Sequence, residues 1–186
     1  MTEAKGCGKA VAVMFKQIKP GDYRKLAAES NDAPTGGGAR DFRFPSAPFA
    51  PVLEMFFPKI VGTSANGGNI RRGSLVWSNA LLNERYEVDL HPPTDARPTE
   101  ARISRINSLE PLQDCPEPDD LNPLFVIFTL DKDETFRCDF ANTNELNEHW
   151  HTDIVRPILE SLDVIQGNKS AMGWVNFNTG MEYLHQ

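Results

Sequence analysis

The residues best suited to chemistry in this 186-residue chain fall in two short stretches. The first is Arg97–Arg105, which reads RPTEARISR and carries Arg97, Glu100, Arg102 and Arg105. Guanidinium forks pair with guanine N7 and O6, and a carboxylate accepts from the cytosine amino group, so an Arg–Glu–Arg set on the open face of a strand could read base edges. The same residues would equally suit a surface salt-bridge cluster. The second stretch, ESNDAPTGGG at 29–38, holds Asn31, Asp32 and Thr35 and is followed by Arg40. Asn pairs with adenine, Arg with guanine, and Thr with a base or a phosphate, though a polar linker has the same composition.

Other chemistries find less to work with. The triple glycine at 36–38 lacks the lysine and the spacing of a phosphate loop, and the dinucleotide pattern GxGxxG is absent. No GxSxG elbow accompanies the serines. His149 and His151 flank Trp150, but residues that close on a helix do not share a face, and no ligand follows one turn on. Cys7, Cys115 and Cys138 are an odd set without a CxxC pair, against both a disulfide framework and a structural zinc site. No metal, cofactor or catalytic residue is therefore expected.

The net charge of −7 argues against nucleic acid, but its distribution is uneven. Residues 1–105 hold 15 of the 19 basic and 11 of the 26 acidic residues, a net of +4; residues 106–186 hold the other 4 and 15, a net of −11. A basic recognition face with an acidic remainder fits this asymmetry, as does an acidic surface that binds a basic partner. No run of apolar residues is long enough for a membrane span. The N-terminal segment reads as a first strand rather than a leader, so a cytoplasmic protein is expected.

The elements that would position these residues are mostly short strands. Apolar or alternating runs predict strands at 9–18, 40–44, 74–79, 83–90, 100–104, 124–130 and 136–141, with a further extended stretch at 23–27. Phe42 and Phe44 alternate with Asp41 and Arg43. A short helix is expected near Ala47–Phe57, and residues 62–69 read as a connection. From Thr143, Leu146, Trp150, Ile154, Ile158 and Leu162 recur every four residues, the mark of one amphipathic helix perturbed at Pro157. With no βαβ alternation, the expected fold is mainly β: a barrel-like domain over 1–142 and a helical extension over 143–186 packed on it, away from the two stretches.

Together these stretches resemble a known family. KLAAESNDAPTGGGARDFRFP at 25–45 looks like the loop of the N-terminal recognition domain of EcoRII-type restriction endonucleases, where Asn-Asp precedes Thr-Gly-Gly and a short strand ends in Pro. The helix closing at Phe57-Pro58, the run RPTEARISRINSLEPLQD at 97–114 and the strand LFVIFTLDKDE at 124–134 follow in the family's order. The Asn-Asp to Thr spacing is one residue shorter than in the family and the Arg97 to Glu100 spacing one longer. The resemblance implies a seven-stranded DNA-binding pseudobarrel, as in plant B-three transcription factors, whose two arms grip the major groove. Carried over, the arms supply Lys25, Asn31, Asp32, Thr35, Arg40 and Arg43 from one side and Arg97, Glu100, Arg102 and Arg105 from the other. It further implies sequence-specific binding of double-stranded DNA in a restriction-modification or anti-phage defence system. No nuclease centre is visible, so cleavage would belong to a separate nuclease or defence subunit or to a longer parent protein. The alternative is a protein-interaction or inhibitory module that uses the acidic half.

Overall fold

The computed structural model describes residues 4–6, 9–27, 41–77, 85–104 and 117–185. The protein is mainly β, with one sheet of ten strands curled into a half-barrel and four helices among the described residues. At its spine lie β1 (Ala10–Ile18) and β7 (Leu124–Asp131), antiparallel neighbours. Both are apolar on both faces, which is why each reads as an unbroken hydrophobic run rather than an alternation. Ala12, Met14, Val126 and Phe128 face the inside of the curl, whereas Val13, Phe15, Phe125 and Ile127 face outward.

The inner face is filled by α2 (Ser46–Phe56) and by the strands that curl around it. β8 (Phe136–Asn142) follows β7, and β4 (Asn69–Trp77) joins β8 in parallel. β5 (Arg85–His91), β6 (Glu100–Ser104) and β2 (Phe42–Pro45) continue the path antiparallel. The curl brings β2 back over the spine: the Phe42 ring lies 5.8 Å from Phe128 and 6.3 Å from Phe140. Lys16 of β1 donates its Nζ to the Arg43 carbonyl at 2.8 Å, bridging the two strands without a ladder. α2 crosses the interior with Phe49 against Phe44 and Phe56 against Phe136, both at 5.0 Å, and the Trp174 Nε1–H bonds to the Pro48 carbonyl at 2.8 Å.

The outer face of the spine is covered by α3 (Thr143–His149) and α4 (Thr152–Val164), which lay Leu146, Trp150, Ile154 and Ile158 on it. The segment from 143 packs on the sheet, and its details differ from the sequence reading or extend it. The single helix is two. α3 starts with a capping box, in which Asn142 Oδ1 accepts from Glu145 N and Glu145 Oε2 accepts from Asn142 N. It ends at Trp150 because the N-terminal segment crosses there: Lys5 N donates to His149 O at 2.8 Å and His151 N to Lys5 O at 3.0 Å. Pro157 lies inside α4, where its missing N–H costs a single helical bond. After α4 the chain is not helical: β9 (Met172–Asn176) adds to the free edge of β1, and β10 (Met181–Leu184) adds to β9.

Two further corrections fall earlier in the chain. The stretch expected to be extended at 23–27 belongs to α1 (Pro20–Ala27), because Pro20 starts a helix as readily as it breaks a strand, and the Lys19 carbonyl accepts from Asp22 and Tyr23. The connection at 62–69 is a hairpin turn between β3 (Lys59–Thr63) and β4, with Gly67 at a φ of +82°. β3 is exposed on both faces and so carries no burial pattern to read. Among the described residues no helix is long and apolar enough to cross a membrane.

Two outcomes follow from this packing. Deleting residues 143–186 strips β1 of its β9 partner and bares Val13, Phe15, Phe125 and Ile127, so the remainder is expected to lose its cooperative thermal transition. Phe128→Ala removes a ring in contact with three others and should cost about 3–5 kcal/mol in urea unfolding, whereas Leu121→Ala, at a residue 94% exposed, should fall within about 0.5 kcal/mol of the parent.

Candidate nucleic-acid interface

The β2–β6 ladder brings together residues from the two stretches singled out in the sequence. Its register sets Phe42 opposite Ile103, Arg43 opposite Arg102 and Phe44 opposite Ala101. Strand alternation sends Phe42, Phe44, Ala101 and Ile103 into the core and turns Arg43 and Arg102 to the outer face. Arg97 sits just before β6 in a tight turn, where its N–H and carbonyl bond back to Thr94.

On that face the charged groups form a chain. Arg97 Nη1 donates to Glu100 Oε2 at 3.2 Å, and Arg43 Nη1 reaches the same oxygen at 3.3 Å. Arg43 Nε then donates to Asp41 Oδ1 at 3.1 Å, and Arg102 Nη1 lies 3.5 Å from Asp41 Oδ2. Three guanidinium groups against two carboxylates leave a net of +1. Exposure grades along the chain: the side chains of Arg97 and Arg102 are 54% and 43% exposed, Arg43 only 22% and Asp41 4%. Arg97 and Arg102 at the ends are therefore available to a ligand, whereas Arg43 and Asp41 are largely covered.

Desolvation alone would raise the Glu100 pKa, but the hydrogen bonds from Arg97 and Arg43 and their charges together outweigh it and hold the carboxyl below its ordinary value. Glu100 is thus ionised, with one oxygen occupied by two arginines. Lys16, beneath the ladder, has a pKa lowered by burial, against the pull of Asp22 and Glu100. The outer face continues across β5 and β4 with His91 Nε2 2.9 Å from Ser104 Oγ, and Arg72 bonded to Asp89 through Nε and Nη2 at 2.7 and 3.2 Å.

Of the ten site residues named from the sequence, Arg43, Arg97, Glu100 and Arg102 are gathered in this chain. Asn31, Asp32, Thr35, Arg40 and Arg105 lie outside the described residues, as does the side chain of Lys25 at the end of α1. Asp41 is the member missed. Its alternation with Phe42 put it on the face of Arg43, but only the β2–β6 register shows that it also meets Arg102. The two histidines flanking Trp150 play local parts: His151 Nδ1 accepts from Asp153 N at the start of α4, and His149 lies 3.7 Å from Glu148. Cys138 is buried, and desolvation pushes its thiol well above the ordinary pKa. No protein-family model matches the chain, and no curated protein matches it.

The depressed Glu100 pKa has a sign that can be checked. A carboxyl held below its unfolded value stabilises the fold above that value, and the contribution disappears as pH falls through the folded pKa. Glu100→Gln should therefore be less stable than the parent near pH 7, and the difference should shrink below the ordinary carboxyl value of 4.5. With Glu100 39% exposed, solvent screening limits that difference to about 1 kcal/mol or less. Urea unfolding of both proteins at neutral and acidic pH measures it.

Proposed function

We propose that the protein binds double-stranded DNA sequence-specifically in the major groove, in the service of a restriction-modification or anti-phage defence system. The observation that carries this reading is the clustering of Arg43, Arg97 and Arg102 on one outward face of adjacent strands, with Glu100 among them. Guanidinium forks steadied by carboxylates lose less freedom on meeting guanine or phosphate than free ones do, and half-exposed Arg97 and Arg102 are the pair placed to reach it. The first stretch, 29–40, runs directly into β2, so both expected arms join the same ladder. The acidic helices α3 and α4 lie on the outer face of the spine, where they repel phosphate least.

The fold is in keeping with the pseudobarrel that the sequence resembles. β1, β7, β8, β4, β5, β6 and β2 form an unbroken path of seven strands, and Lys16 links its two ends. β9 and β10 would then be additions at the β1 edge and β3 an addition at β4.

One observation favours a different partner. Every arginine in the cluster already holds a carboxylate, and the cluster nets only +1, a modest charge for a polyanion. A protein surface that exchanges these ion pairs for its own is the second reading.

Mobility shifts with randomised duplex DNA at low salt separate the two. The DNA reading expects selection of a defined site, a loss of about 1–3 kcal/mol for Arg102→Ala or Arg97→Ala at that site, and relaxed preference at one position. Indifference to every duplex at low salt would reject it in favour of a protein partner.

A further inference from the structure

We propose that a break in the β4 edge, between β3 and β8, is a binding site for a small anion with a flat apolar body, such as an aromatic carboxylate or an aryl phosphate. β4 changes partner along this edge. β3 pairs with its Asn69–Arg72 portion and β8 with its Leu75–Trp77 portion, so Gly73 and Ser74 have a register partner in neither. The gap opens into a cleft of about 370 Å³, within the range of roughly 300–1,000 Å³ found for small-molecule sites.

The cleft has two kinds of lining, buried apolar residues and exposed charged ones. Its inner end is apolar, formed by Phe56, Leu130 and Phe136. Phe56 and Phe136 close on β4 so tightly that a Cβ at position 73 would lie 2.6 Å from the Phe56 carbonyl and 3.0 Å from the Phe136 ring, so only glycine lets them approach. Its other end is charged, with both signs present. Lys59 comes from β3, Arg72 from β4 and Arg85 from β5, opposed by Glu87 and Glu134.

Availability separates Lys59 and Arg85 from the arginines of the β2–β6 ladder. Lys59 and Arg85 are exposed and make no ion pair or side-chain hydrogen bond among the described residues. Arg72 gives Nε and Nη2 to Asp89 and lies 3.5 Å from Glu87 through Nε, so it is committed and serves as a backdrop to the other two. An apolar wall beside two unpaired cations, Lys59 and Arg85, recognises a ligand by both halves. The flat body leaves water for the apolar lining, and the anion meets two cations with no competing partner among the described residues. A neutral aromatic lacks the second half and inorganic phosphate the first. This inference does not depend on the DNA reading, since it uses none of Arg43, Arg97, Glu100 or Arg102.

Isothermal titration of the full chain tests it with phenyl phosphate and benzoate as probes and with inorganic phosphate and benzyl alcohol as controls. Saturable binding of either probe with a Kd below about 1 mM, at least about tenfold tighter than both controls, is expected. Replacing both rim cations, Lys59→Gln with Arg85→Gln, alters exposed side chains only and should weaken the probe about tenfold, with the thermal transition unchanged. Arg97→Gln should leave probe binding as it was. Failure of both probes to saturate, equal affinity for inorganic phosphate, or undiminished binding in the double variant would overturn the proposal.

Discussion

The structure depends on one constraint: β1 and β7 are apolar on both faces, so both faces must be covered. A sheet with one wet face needs a single layer against it, but this spine needs two. α2 and the returning strands β6 and β2 supply the inner cover, and α3 with α4 the outer one. The curl of the sheet follows from the inner requirement. The rings of Phe42 and Phe44 are buried only if β2 comes back over Phe128. The outer face of the β2–β6 ladder, with its arginines, is therefore a by-product of closing the core.

That relation explains what could be read from the sequence. Strands with one dry and one wet face were legible, since Phe42 and Phe44 against Asp41 and Arg43 state their own orientation. The spine was legible as unbroken apolar runs. β3 was not, because exposed residues on both faces leave no period to detect. The helical stripe from Leu146 to Leu162 marked the right face but hid the break at Trp150, which is made by Lys5 from the far end of the sequence. The strand β9 was missed although Trp174 signalled packing, because its pairing with β1 is a property of the assembled sheet. Among the site residues, the sequence named Arg43, Arg97, Glu100 and Arg102 separately. Register alone could show that Glu100 and Asp41 each hold two arginines.

The carboxylates in that cluster do opposite things to its two readings. By neutralising guanidinium charge they weaken long-range attraction to a polyanion, and by fixing the forks they improve the geometry of any base contact. The graded exposure decides which residues can take part. Arg43 serves as the covered link that ties Asp41 to Glu100, leaving Arg97 and Arg102 to face whatever binds.

The position of β1 between β7 and β9 governs how the fold can be reached. A strand near the start of the sequence has both its neighbours in the final third, and the Lys5 segment bridges α3 and α4 there as well. Closing such long loops before any ladder rewards them slows folding, and β1, apolar on both faces, has neither neighbour until the segments at 124–131 and 172–176 are present. Until those pairings form, the yield of folded protein depends on whatever shields the two apolar faces of β1.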